Sequence, residues 1–460
     1  MKRAIIMIMA LLSLLAASEG SIIDRIVNFY NVKTNGVFEF NATKSGDGYD
    51  ITVSPQDPVY KDLLNPKFMH VNVDEGPIVT SPKFTLAKAG LSAKGSFFDF
   101  FKPKVAAEMK KGIKEDITYN YGAIVSFGGE FDEKFTIDPV KIEDKNRTIE
   151  SSKLLMKSQT DLDTYKSTTE LTLHHLFVEN KTTKQLFALK GVKIENVITD
   201  KPVDNIILFG KTAASIKELD LNASTVKKKI DAKLSLNASS VIQRVDSKFL
   251  DANFILGYKA LDAKSIALLE GMQSGRLEFS FKNLGVQGVV ELIKLSQKLQ
   301  KINNKMIQAS KSGNDIEIQK SIIESTEVMN ELIPVINHIL IKDKSRVVLD
   351  WQMQSDKLNY IKFDFTYKGE PLQGSNLQGA MISLMAQQLT LLDGSFDIAL
   401  ERDLIVKINP LSILFLDMLK QKGFITEKDS VYRLKGELKG GKIILNGKAY
   451  TIEELSRALF

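Results

Sequence analysis

The chain has no cysteine in its 460 residues. That excludes disulfides, thiolate metal sites and cysteine nucleophiles, so burial of apolar surface alone must hold the fold. Histidine is nearly as scarce: His70, His174, His175 and His338 are all there are. Trp351 is the single tryptophan and is expected in the core. Arginine supplies nine of the 62 basic residues. Nucleic-acid readers lean on the arginine fork for bidentate contacts, and the 56 acidic residues interleave with the lysines to leave a net charge of +6. This reads as a solvated surface with no nucleic-acid partner, and with a weak attraction to anionic lipid head groups. Also absent is any internal run of 18 apolar residues, so no membrane-spanning helix is expected within the body of the chain.

Catalytic and cofactor signatures are missing too. No glycine-rich nucleotide fingerprint, phosphate loop, zinc-protease helix or nucleophile elbow occurs. Gly271-Met-Gln-Ser-Gly275 has its serine one place off the elbow spacing. His174 and His175 adjoin in an alternating run, and neighbours on a strand point to opposite faces, so they do not grip one metal. His338, beside apolar residues on a helix, reads as an interface histidine. The pairs Asp161 with Asp163 and Glu401 with Asp403 share a strand face and could do acid–base work in a cleft. With 56 acidic residues such pairs also arise by chance. No catalytic, cofactor-binding or metal residue is therefore assigned, and the protein is expected not to be an enzyme. An exported hydrolase without a recognisable motif is the alternative. It would need His175 or His338 near a serine and a carboxylate.

What is present begins at the N-terminus. Lys2 and Arg3 precede an apolar stretch over 4–17, followed by Ser18, Glu19 and Gly20. A basic start, an apolar centre and small residues after it form an export signal. The 14-residue stretch would rise only about 21 Å as a helix, short of a bilayer core. The leader is either removed, by cleavage after Ser18 or Gly20, or kept as a short anchor that would put the N-terminus at the membrane. Residues 1–20 are assigned to it.

Residues 21–282 are read as a β-rich region, with strands dominating from 36. Period-two alternation is clear in Val37-Phe-Glu-Phe40, Ile117-Thr-Tyr-Asn-Tyr121 and Leu186-Phe-Ala-Leu189, with glycine turns between strands. Leu219-Asp-Leu-Asn-Ala-Ser224 recurs as Leu234-Ser-Leu-Asn-Ala-Ser239, and Phe38-Glu-Phe-Asn-Ala-Thr43 is a looser copy. Each is expected to close a strand at a turn.

Residues 283–341 change period. Leu292, Leu295, Leu299, Ile302 and Met306 follow 3-4-3-4 spacing, and Ile318, Ile322, Met329, Leu332, Ile336 and Ile339 continue it. Between them, Gly313 reads as a C-terminal stop and Asn314 or Asp315 as an N-cap. This predicts a long αα-hairpin with arms of about 25 residues, the second kinked by Pro334. Residues 342–460 are read as an α+β region, with helices over 377–389 and 410–421 and a hairpin turning at Gly440-Gly441. The fold class is thus α+β: a β-rich elongated antiparallel sheet, a long αα-hairpin and short C-terminal helices.

Arg276-Leu-Glu-Phe-Ser-Phe-Lys-Asn-Leu284 before a helix starting near Val286 is similar to a pattern of the bacterial YdgA-like envelope family of unknown function. The segment from Leu419 through Tyr432 to Gly441-Lys-Ile-Ile-Leu-Asn-Gly-Lys448 resembles the C-terminal part of that family. The resemblance implies an extracytoplasmic protein of the bacterial envelope, in the periplasm and often tethered by its N-terminus. It implies no catalytic residues.

Two non-enzymatic functions follow. In the first, the protein binds a lipid-like or hydrophobic ligand, or an envelope protein, through Leu292, Leu295, Leu299, Ile302 and Met306. That function requires apolar residues left over on one strand face beyond those the helices cover. In the second, every apolar face is consumed internally and the protein is a structural or interaction component without a ligand.

Overall fold

The computed structural model describes residues 22–459 except 35–36, 57, 80–85, 114–115, 127, 225–228, 263–271, 374–378 and 380–387. The leader, Gly271 and most of the helix expected over 377–389 lie outside the described residues. The chain divides into two compact units, Met1–Lys227 and Lys228–Phe460.

The first unit opens with helix α1 (Ile22–Lys33). Ile22, Ile23, Ile26, Phe29 and Tyr30 supply its apolar spacing, and Asp24 near the start and Lys33 near the end complement the helix dipole. The helix lies against an antiparallel sheet of β1 (Phe38–Ser45), β2 (Gly48–Pro55), β3 (Lys67–Val79), β4 (Leu86–Ser96), β5 (Thr118–Ser126) and β6 (Glu130–Ile137). β7 (Val140–Glu143), β8 (Arg147–Ser151), β9 (Leu154–Asp161), β10 (Ser167–Asn180), β11 (Gln185–Ile198) and β12 (Gly210–Ser224) complete it. Strands pair in chain order as far as β6, which then takes β9, and β9–β10–β11–β12 follow. The β7–β8 hairpin pairs with the second half of β10. Two short helices, α2 (Pro58–Leu63) and α3 (Pro103–Gly112), connect strands.

Alternation places Phe38, Phe40, Ile51, Val53, Tyr121, Phe131 and Phe135 on the face that α1 covers, all nearly sealed from solvent. Each such side chain stabilises by roughly 1.5–3 kcal/mol on burial. Asn31 ties the helix to the sheet edge: its side-chain amide donates to the Phe40 carbonyl at 3.0 Å and accepts from the Phe40 N–H at 2.8 Å.

The second unit holds β13 (Lys229–Arg244), β14 (Phe249–Asp262) and β15 (Ser274–Gly285), then helices α4 (Val286–Ser312), α5 (Asp315–Asn330) and α6 (Leu332–Ile339). It continues with β16 (Arg346–Gln354), β17 (Leu358–Tyr367) and β18 (Leu392–Glu401), and helices α7 (Arg402–Ile408) and α8 (Ser412–Gln421). It ends with β19 (Thr426–Lys428), β20 (Val431–Lys439), β21 (Lys442–Leu445), β22 (Lys448–Tyr450) and α9 (Ile452–Leu459). The sheet order β13–β14–β15–β16–β17–β18–β20–β21–β22 is antiparallel throughout, with β19 added to β20.

Three expectations need correction. Leu234–Ser239 does not close a strand: it lies inside β13, because Ser240-Val-Ile-Gln243 carries the pairing with β14 onward. The second helical arm is two helices rather than one kinked helix. It breaks at Glu331 because Pro334 has no N–H to donate back to Asn330. Trp351 is only half-buried, against Met272, Met353 and Leu404.

Candidate functional site: an apolar sheet face

In the second unit one sheet face carries aligned rows of apolar side chains. Strand register sets Leu256 opposite Leu277, Leu277 opposite Trp351, Trp351 opposite Ile361, and Ile361 opposite Ile398. The neighbouring row runs Phe254–Phe279–Leu349–Phe363–Phe396. These residues alternate with Asp350, Lys362, Asp364 and Asp397, which the two-residue period sends to the opposite face. That charged face satisfies itself. Arg346 pairs with Asp364, Lys362 reaches Asp350 at 3.3 Å, and the Tyr360 hydroxyl donates to Asp397 at 3.1 Å.

The apolar rows are not sealed. Leu256 is 56% exposed, Phe254 43% and Leu277 37%, while Phe279, Leu349, Phe363 and Phe396 are half-buried. Contiguous apolar area left open in this way marks a binding surface or an interface. Its aromatic rings are ordered among themselves: Phe279 meets Phe281 edge-to-face at 4.5 Å, and Phe363 stacks on Phe365 at 5.9 Å.

The helices at the end of β15 are firmly based. Gly285 and Gly288 let the start of α4 cross the end of α6, and a Cβ at Gly285 would lie 1.9 Å from the His338 carbonyl oxygen. His338 Nδ1 lies 2.7 Å from Glu291, which holds the Glu291 carboxyl below its usual range. Gly313 ends α4 in the left-handed region (φ 68°), and Asn314 then caps α5 by accepting from the Glu317 N–H at 3.2 Å. Lys298 bonds Glu331, and Lys305 reaches Glu324 at 3.3 Å.

The five helical residues expected as a binding surface are split by this packing. Leu295 and Ile302 are buried with Val328, and Leu299 packs on that cluster. Met306 is half-buried, and Leu292 is 39% exposed. Leu299, Ile302 and Met306 line a cavity of about 450 Å³ with Ile322 and Met329.

The remaining chemistry-bearing residues make local contacts, His175 Nε2 lying 3.6 Å from Glu150. The Ser152 hydroxyl accepts from the backbone N–H groups of His174 and His175 at 2.9 and 3.1 Å. Asp161 accepts from the Asp163 and Thr164 N–H groups in a turn, and Asp163 pairs with Arg25. Glu401 accepts from the Ser355 hydroxyl at 2.6 Å. Among the described residues no group of three or more acidic or histidine side chains could hold a metal ion.

The sequence reading missed a buried polar cluster beneath α1. The Tyr30 hydroxyl donates to Glu133 Oε1, while Glu133 Oε2 has no partner. Lys33 donates to the Thr169 hydroxyl at 3.0 Å, and Thr169 lies 2.9 Å from Ser158. Burial pushes the Glu133 carboxyl up to about 7, against the pull of the Lys33 charge. Burial likewise lowers the Lys33 ammonium to about 8, against Glu133. The available signal was Glu133 itself, a charged residue in the inward register between Phe131 and Phe135.

A family model described as a bacterial protein of unknown function (DUF945) matches residues 68–338, more than half of the chain. The chain belongs to this family. Within this DUF945 member the match takes in most of the first-unit sheet, β13–β15 and the helices through His338. No curated protein and no solved structure matches the chain.

Proposed function

We propose that this protein is a non-enzymatic component of the bacterial cell envelope, exported by its leader, that holds a lipid-like or hydrophobic ligand on the apolar face of the second-unit sheet. In this reading α4 with α5–α6 forms one αα-hairpin that borders the ligand, and the chain is a YdgA-like member of its family. The observation that carries the proposal is the pair of rows from Leu256 to Ile398 and from Phe254 to Phe396, open at the β14–β15 end where Phe254, Leu256 and Leu277 stand exposed. Acyl chains suit such a surface, because it offers dispersion contacts and few hydrogen-bond donors.

The test is native mass spectrometry with lipid extraction on protein purified from its own envelope, joined to displacement of a fluorescent fatty acid. A co-purifying apolar molecule is expected. Replacing Phe254 and Leu256 by Glu should weaken probe binding about tenfold or more with little change in thermal midpoint, since both side chains are already exposed. The same mass reads directly whether cleavage follows Ser18 or Gly20. A clean apo mass together with no probe binding would refute the ligand.

A second reading, an interaction protein without a ligand, has its own support. Leu411 is 74% exposed, Leu414 71% and Phe415 47%, side by side where α8 begins. Cross-linking in cells should then join this turn to an envelope protein, and Leu414→Asp should abolish the link.

A further inference from the structure

The first-unit sheet has a second face, opposite α1, and it encloses an open trough of about 1120 Å³. Register places Ser92, Gly122, Lys134 and Lys157 in one cross-strand row. Asp132 stands in the next row, beside Ile124, and Asp74 lies at the far end of that row beyond Gly90. Rows two residues apart along a strand are separated by about 6.8 Å.

Three features of this trough are unusual for a solvated sheet face. First, Lys134 stands directly opposite Lys157, and like charges in that position are destabilising, although Glu170 stands opposite Lys157 on its other side. Second, among the described residues Lys134, Lys157, Asp74 and Asp132 form no ion pair. The neighbouring strands of the same sheet pair theirs: Lys190 with Glu218 at 2.7 Å, and Lys193 with Glu195 at 2.6 Å and Glu170 at 3.3 Å. Third, the floor beside Lys134 is Gly122. A Cβ there would meet nothing within 4 Å, and its φ is not positive. Neither packing nor backbone conformation calls for glycine at this position, and glycine inside a strand costs stability. A bare strand interior of this kind suits close approach of a ligand to the main chain.

We propose that the trough binds a short zwitterion. A phosphate or carboxylate sits over the Lys134–Lys157 pair, a primary amine meets Asp132, and the main chain at Gly122 lies beneath. The bound anion removes the lysine repulsion, and the amine supplies the cation that Asp132 lacks. This site belongs to the first unit and stands independently of the hydrophobic-ligand proposal.

The test is transverse-relaxation-optimised NMR titration of the full chain. O-phosphoethanolamine serves as the phosphate carrier, β-alanine as the carboxylate carrier, and ethanolamine and inorganic phosphate as half-ligands. One zwitterion should give saturable shifts at Gly122, Lys134 and Lys157, and should bind about tenfold more tightly than either half-ligand. Lys134→Ala with Lys157→Ala should remove binding, and Asp132→Asn should erase the preference over the bare anion. Gly122→Val fills the floor without changing charge, so it should abolish binding while leaving the thermal midpoint unchanged or raised. Sedimentation with phosphatidylethanolamine vesicles that the lysine variants abolish would assign the zwitterion to a lipid head group. Binding confined to the soluble probe would assign it to a free molecule. Unsaturable shifts with both carriers, inorganic phosphate binding as tightly as the zwitterions, or unchanged binding by Gly122→Val would each overturn the proposal.

Discussion

Tyr30 donates its hydroxyl proton to Glu133 across 103 residues of sequence, with both side chains sealed beneath α1. The bond fixes how the N-terminal helix is rotated over the sheet. Tyr30→Phe keeps the ring and removes the donor, so the buried Glu133 carboxyl loses its Tyr30 hydrogen bond. The expected loss is about 1–3 kcal/mol by denaturant unfolding, and Tyr30→Phe combined with Glu133→Leu should recover part of it.

The same carboxyl makes stability depend on pH. Glu133 is raised to about 7 in the folded protein from 4.5 unfolded, so the folded state holds its proton more tightly between those values. Its contribution is full below about pH 4.5 and is lost as pH rises to about 7. Lys33 is lowered to about 8 from 10.5, so its contribution is lost as pH falls from about 10.5 to 8. The thermal midpoint of the native protein minus that of Glu133→Gln should therefore decline between pH 4.5 and 7. A flat difference would show that the carboxyl is solvated.

Leu292 and Leu295 sit on one helix, but only Leu295 is buried, at 6% exposure. Leu295→Ala should cost about 2–5 kcal/mol through the cavity it opens against Ile302 and Val328. Leu292→Ala should cost well under half as much. Equal losses in chemical denaturation would mean that α4 is rotated from the orientation described.

Two glycines of the helical region are expected to fail differently. A side chain at Gly288 would lie 2.5 Å from the His338 carbonyl carbon and the Ile339 nitrogen, so Gly288→Val must push α6 away and should cost about 2 kcal/mol or more. Gly313 has open space around it but φ 68°, so Gly313→Ala should cost about 1 kcal/mol from backbone strain alone. Hydrogen exchange separates them: Gly288→Val should deprotect α6, and Gly313→Ala only the α4–α5 turn.

Local periodicity made much of the fold legible. The 3-4-3-4 spacing from Leu292 to Met306 lies on α4, and the Gly313–Asn314 punctuation lies where α4 stops and α5 starts. Alternation in Ile117–Tyr121 and Leu186–Leu189 falls in or beside β5 and in β11, and the Gly440-Gly441 turn joins β20 to β21. Helix α1 is hard to read from sequence because it is short and adjoins the apolar stretch over 4–17, although Ile23, Ile26 and Tyr30 carry the helical period. Neither candidate site could be read from sequence. Whether Phe254 comes to stand beside Phe279, or Lys134 beside Lys157, depends on register between strands, and register is set by pairing rather than by any local motif.

The placement of α1 also orders events in time. Several of its partners lie far along the chain: Glu133, Asp163, Tyr165 and Thr169 contact Tyr30, Arg25, Asn28 and Lys33 across 103 to 138 residues. Helix α1 can therefore pack on β1 and β2 early but cannot complete its contacts until β10 exists, and closing so long a loop is slow. Until then Ile23, Ile26 and Phe29 are only partly covered. An element made early in the unit is thus finished only by strands made much later.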